Sequence, residues 1–364
     1  MSQKRRSLSG GAFGLLGIVL AMAAMAPASA VGSGGQAPGP DDPNPLIGQT
    51  WWDQNTKYNL TWNAGYRTLL RTGDRMGAEH LRLLAEQPQF RWWGHYEDRP
   101  AKPLTVQVNL RNSFATMDKQ APGLVPLVAA FGHKGDGCGA RYLAGGARED
   151  ARYRSFIRRL ADGIGSREVV VAFEPDSMGT VECLARSRRK DRLRALRYGV
   201  DALSKLPNAT VYIDAGASDW QGVPTMARKL RFVGVHKVRG FMLNATHQDT
   251  TPNNLRYGLR LSRALGGKHF IINTSHNGRG PLYKRQDSVG RGTVWCNPSN
   301  AAAGARPTTD TSHPKVDAYM WVERPGYSNG ACNGGPARVG AWWMERGLLM
   351  VRRAPWFGAA LSGN

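Results

Sequence analysis

Residues 169–180 read Val-Val-Val-Ala-Phe-Glu-Pro-Asp-Ser-Met-Gly-Thr: five apolar residues run directly into two carboxylates separated by a proline. A short, continuously apolar run is the pattern of a strand buried on both faces, as in parallel sheets covered by helices. Its tip delivers Glu174 and Asp176, and Pro175 fixes the turn that presents Asp176. Partial burial there raises a carboxyl pKa, which suits a general acid working near neutral pH. Residues two apart share a face only in a regular strand, so Glu174 joins Asp176 only if the proline leaves the strand end straight. Otherwise the carboxylate pair caps the following turn.

Six further runs have the same character: 90–93, 125–131, 210–215, 240–244, 269–273 and 317–322. Helical spacing fills the gaps, over about 63–86, 147–163, 184–206, 223–233, 251–265 and 339–353; Leu193, Leu196, Val200 and Leu203 recur at three- and four-residue steps. Alternating strands and helices predict an α/β fold, and seven continuously apolar runs a closed or nearly closed parallel β/α barrel rather than an open sheet. The later strands end in polar residues: Glu174 and Asp176, then Asp214, Asn244, Asn273 and Glu323. In such barrels the C-terminal strand ends form the active-site face, so a cleft is expected there. Trp93, Trp220, Trp295 and Trp321 lie at or near strand ends, where flat indole faces suit the apolar faces of sugar rings.

The flanks bear on location. Lys4-Arg5-Arg6, an apolar stretch over 12–26 and Ala28-Ser29-Ala30 form a signal peptide over 1–30. No later segment approaches the roughly 20 apolar residues of a membrane span. Residues 31–44 are Gly/Pro-rich and read as a flexible leader; 45–364 read as one catalytic domain. The expected location is extracellular. The chain carries 49 Lys+Arg against 27 Asp+Glu, a formal charge of +22, which falls to +19 once Lys4, Arg5 and Arg6 are removed. These cations are spread along the helices rather than gathered in one arm, so no nucleic-acid partner is expected; an acidic cell-wall polymer is the alternative that charge permits.

Four cysteines, Cys138, Cys183, Cys296 and Cys332, fit an oxidising compartment and allow three pairings. None are spaced as C-x-x-C, the eight histidines are scattered and H-E-x-x-H is absent, so neither a metal nor a cofactor is expected. Gly326-Tyr-Ser328-Asn-Gly330 matches G-x-S-x-G, but loop residues follow the serine where a nucleophile elbow needs a helix.

The order of motifs is more specific than any one of them: QPQFRWWG at 87–94, GDGCGARYLAGGA at 135–147, VVVAFEPDSMG at 169–179, VYIDAGASDW at 211–220, GFMLNATHQDTT at 240–251, GGKHFIINTSHNGRGP at 266–281, VWCNP at 294–298 and AYMWVERPGYSNGACNGGP at 318–336. With these the chain resembles glycoside hydrolase family 6, the inverting β-1,4-glucanases, from about residue 44 to the C-terminus. The resemblance implies a distorted parallel β/α barrel of about seven strands, a general acid at Asp176, sugar-stacking at Trp93, Trp220 and Trp295, a site carboxylate at Asp214, and disulfides Cys138–Cys183 and Cys296–Cys332. Asn244 lies in the same strand-end set. The implied partner is a polysaccharide or oligosaccharide, and the implied state a monomer.

Several positions depart from that family. Its R-D-C reads Asp136-Gly137-Cys138, its site tyrosine reads Phe131, and the histidine after D-A-G reads Ala217. D-T-S-R-N-G reads Asn273-Thr-Ser-His276-Asn-Gly, and W-x-K-P-P-G-E-S-D-G reads Trp321-Val-Glu323-Arg-Pro-Gly-Tyr327-Ser-Asn329-Gly330. Asn329 thus stands where the base aspartate is expected, and an amide can orient water but cannot take its proton. Inversion needs a second carboxylate roughly 6.5–9.5 Å from the acid; Glu323 and Asp136 are the substitutes. The alternative is a glycan-binding pseudoenzyme.

Overall fold

The computed structural model describes residues 39, 41–52, 60–94, 105–132, 147–282 and 295–357, with the side chains of 60–63 and 147–148 outside that description. The signal segment, most of the leader, Asp136 and Cys138 lie outside it.

Each apolar run forms a strand: β1 (Arg91–Gly94), β2 (Leu127–Phe131), β3 (Val169–Phe173), β4 (Ala209–Asp214), β5 (Gly240–Leu243), β6 (His269–Asn273) and β7 (Val316–Met320). All neighbours pair in parallel, in the order β1-β2-β3-β4-β5-β6-β7. The sheet curls until its edges meet: the Phe90 N–H donates to the Trp321 carbonyl at 3.0 Å, and Trp92 Nε1 donates to the Val322 carbonyl at 2.8 Å. A parallel barrel, distorted because no continuous ladder joins β7 to β1, is the architecture read from the sequence.

The alternation along β3 shows why the strand is apolar throughout. Val169, Val171 and Phe173 pack in the outer layer against helices, whereas Val170 and Ala172 join the barrel interior with Leu127, Ala129, Tyr212, Met242, Ile271, Ala318 and Met320. Leu46 and Trp51 of the N-terminal segment belong to that interior too, and Trp51 bridges Val125.

The helices of the described residues are α1 (Leu60–Arg71), α2 (Arg75–Ala85), α3 (Val106–Gln120), α4 (Ala147–Ile164), α5 (Arg186–Leu203), α6 (Val223–Val233), α7 (Thr251–Ala264) and α8 (Met344–Arg352). Two differ from the sequence reading. The single helix expected over 63–86 is broken, because Gly73 turns with φ +83° and Asp74 caps α2 by accepting the Gly77 N–H at 2.7 Å. Helix α3 was absent from that reading, although Val106, Leu110, Phe114 and Met117 recur at helical steps and are all buried.

A buried ionic cluster tightens the N-terminal end of the barrel. The β6–β7 register shifts between Phe270 and Ile271, leaving Asp317 as an extra residue between their partners Val316 and Ala318. Asp317 accepts from Arg239 Nε and Nη2 at 2.8 and 2.9 Å and from the Tyr212 hydroxyl at 2.6 Å; His269 Nδ1 lies 2.9 Å away. Bulges re-aim side chains in this way. Asn44 ties the leader's end to the cluster by donating to the Asp317 carbonyl at 2.7 Å.

Candidate active site

The chain leaves β3 under strain. Glu174 and Asp176 both have positive φ, +55° and +70°, on either side of Pro175. Non-glycine residues in this region are uncommon and gather at functional sites. The twist separates the two carboxylates. Glu174 is fully buried and accepts the Gly132 N–H on both oxygens at 2.9 Å, beside Tyr153, whose phenol pKa burial and this carboxylate raise. It braces the ends of β2 and β3. Asp176 turns the other way: it is half-buried, accepts the Thr246 hydroxyl, and has its pKa raised by desolvation against the lowering effects of Thr246 and His247.

The loop after Asp176 is held from behind. Buried Arg192 of α5 donates to the Thr180 hydroxyl at 2.7 Å, and Lys229 of α6 donates to the Met178 carbonyl at 2.9 Å. Asp214, at the end of β4, is 1% exposed and accepts the Met178 and Gly216 N–H groups, each at 3.2 Å. Burial, then the charge of nearby Asp176, pushes its pKa up to about 8. Both effects favour the protonated form of Asp214 next to Asp176.

Asn329 and Glu323 meet in the loops after β7. Asn329 Nδ2 donates to Glu323 Oε1 at 2.6 Å, while Asn329 Oδ1 accepts the Asn297 N–H at 3.2 Å and Asn297 Oδ1 accepts the Asn329 N–H at 2.8 Å. These partners fix which way the amide points. An aspartate at 329 would set a second carboxylate against Glu323, so the two residues complement each other. Burial drives the Glu323 pKa up to about 7, with Asp176 raising it further and Asn329, Arg346 and Arg324 lowering it. Glu323 thus lies within electrostatic reach of Asp176. His276 Nδ1 is 3.4 Å from Glu323 Oε2. Burial and Arg346 hold the His276 pKa down at about 3, so its imidazole is neutral.

The other expected residues fall in three environments. Trp93 takes the outward parity of β1 and packs in the helix layer, 3% exposed with Arg91 over its ring, and Trp321 is fully buried; neither offers a face to the strand-end cleft. Asn244, φ +66°, is a backbone latch whose Nδ2 donates to the Asp249 and Asn273 carbonyls at 3.0 and 3.1 Å. Trp220 and Trp295 are half-buried and flank His247, whose ring centroid is 4.4 Å from the first and 4.9 Å from the second. Thr246 and His247 were not singled out in the sequence; the one signal was their place directly after the end of β5. Cys296 and Cys332 are joined, pinning the Trp295 loop to the Asn329 loop; Cys183 is also disulfide-bonded.

No helix of the described residues is long and apolar enough to cross a membrane. Comparison with known proteins gives this site its lineage. Endoglucanase A of Cellulomonas fimi is 36% identical over 277 residues, 76% of this chain but 56% of that protein. The chain therefore spans little more than half of that relative. Endoglucanase 1 of Streptomyces halstedii is 29% identical over 359 residues, covering 96% and 99% of the two chains. Among solved structures, the endoglucanase Cel6 of Mycobacterium tuberculosis, in complex with methyl-cellobiosyl-4-deoxy-4-thio-β-D-cellobioside, is 32% identical with a TM-score of 0.71, over 85% of this chain and 99% of that one. Endoglucanase CEL6B of Humicola insolens, 20% identical with a TM-score of 0.67 over 85% and 98%, shares the fold. The family model for glycosyl hydrolases family 6 matches residues 48–354, from just before Trp51 to just past the end of α8, and the chain belongs to that family.

Proposed function

We propose that residues 45–364 form an exported, monomeric catalytic domain that hydrolyses β-1,4-glucan with inversion, using Asp176 as general acid and Glu323 as general base. The observation that carries this reading is the 2.6 Å hydrogen bond from Asn329 to Glu323. The carboxylate missing at 329 is present six residues earlier in the same loop, and the new amide orients it. Inversion needs one carboxyl to protonate the leaving oxygen and a second to draw a proton from water on the opposite face. Asp176, with its raised pKa, suits the first task. Glu323, poised near 7, suits the second, because a base is most effective with a pKa near the working pH.

A second reading, a glycan-binding protein without turnover, draws on Asn329 itself, which cannot accept a proton. One experiment separates the two. Wild type and Asp176→Asn are incubated with soluble β-glucans, mixed-linkage glucan and cello-oligosaccharides, and the products are followed by proton NMR. Hydrolysis giving the α-anomer first, lowered about 10²–10⁴-fold by Asp176→Asn, supports the enzyme; binding with no product from any glucan supports the second reading.

A further inference from the structure

The aromatic cluster beside Asp176 is already filled. The imidazole of His247 lies nearly parallel to the indole of Trp220, 14° between planes, and also meets Trp295 at 30°. It is 6% exposed and is fixed by Asp219, whose Oδ1 is 2.8 Å from His247 Nδ1. The Trp220 ring is backed as well. A Cβ on Gly179 would lie 2.5, 2.5 and 2.6 Å from Trp220 Cη2, Cζ2 and Cε2. Near-equal distances to three consecutive ring atoms place that point above the ring, not beyond its edge. Gly179 therefore covers one face of the indole, and the imidazole of His247 stacks on the same ring system. Thr246, next to His247, hydrogen-bonds the carboxyl of Asp176, so the stack lies directly beside the proposed acid.

We propose that His247 is a specificity-determining residue that stands in for a sugar ring between Trp220 and Trp295, so that a β-glucan chain engages these indoles only by displacing it. The proposal deepens the reading of the site as a glucan cleft and rests on it. A pyranose ring stacks on indole through its apolar face, as the imidazole does here, and ligand and side chain compete for the same surface. Chains too short to reach the slot bind independently of His247; longer ones must push it aside.

The test measures Kd for cellobiose, cellotriose, cellotetraose and cellopentaose by isothermal titration calorimetry in an Asp176→Asn background, which blocks turnover. With His247→Ala added, affinity should rise with chain length, by about tenfold for the longest oligosaccharide, the size of one aromatic contact returned to the ligand. His247→Trp, a wider ring in the same slot, should weaken the same oligosaccharide. His247→Gln, which can still hydrogen-bond Asp219, should also tighten it and serves if His247→Ala does not fold. Oligosaccharide binding that His247→Ala leaves unchanged or weakens at every length overturns the role of His247 and leaves the glucan cleft standing. An absence of oligosaccharide binding in all of these proteins overturns both.

Discussion

Glu323→Gln should change the pH dependence of stability in a way that needs no substrate. The carboxyl is 9% exposed, and its pKa rises from an ordinary 4.5 to about 7 in the fold. A carboxyl whose pKa is raised by folding is harder to ionise in the native state than in the unfolded chain. Its stabilising contribution is thus complete below about pH 4.5 and is lost as pH climbs through about 7. At about 1.4 kcal/mol per decade of acidity, the loss across that window is roughly 3 kcal/mol. Glutamine keeps the carbonyl that accepts from Asn329 and cannot ionise. Urea melts of wild type and Glu323→Gln at intervals from pH 4 to pH 8 should therefore diverge. The variant should gain roughly 3 kcal/mol relative to wild type between pH 4.5 and 7.5, every other titrating group being common to both. Parallel curves would refute the claim that Glu323 holds a desolvated carboxyl between Asn329 and His276.

Other sites give independent checks. Asp317→Asn leaves Arg239, 4% exposed, without its buried carboxylate. Urea melts should show a loss of about 3–5 kcal/mol at pH 7, and the difference should shrink in acid, because the Asp317 pKa is lowered and its contribution fades as pH falls through it. Gly179→Ala drives a methyl into the Trp220 ring; differential scanning calorimetry should show destabilisation of about 1–3 kcal/mol.

Much of this arrangement was legible in the sequence, and the gaps have identifiable causes. The seven strands were readable because a parallel barrel strand is apolar on both faces; β6 begins and ends at the residues read for it, and β3, expected over 168–173, begins one residue later at Val169. Helix α3 escaped because β-branched and polar residues dilute its apolar stripe. The environments of Glu174 and Trp93 were hidden in backbone detail. Positive φ at Glu174 turns its carboxylate to the Gly132 amide, and the parity of β1 sends Trp93 outward. The sequence could show Asp→Asn at 329 and Lys→Glu at 323 but not that the two changes meet. That takes the fold of the 323–329 turn, which closes a 2.6 Å hydrogen bond between them. The His247 stack is hidden for the same reason, since residues 220, 247 and 295 come together only through three different strand-end loops.

The central claim is that Glu323 supplies the base that position 329 has lost. Glu323→Ala should lower kcat on soluble β-glucan by about 10²–10⁴ and leave room where the carboxylate stood. Azide, a small nucleophile that needs no proton removed, should restore part of the rate by attacking the face from which water came. The measurement is the product of that rescue by NMR. An α-glycosyl azide, formed by Glu323→Ala and not by Asp176→Ala, is the predicted result; wild-type hydrolysis rates from Glu323→Ala, with no azide adduct, would contradict the account.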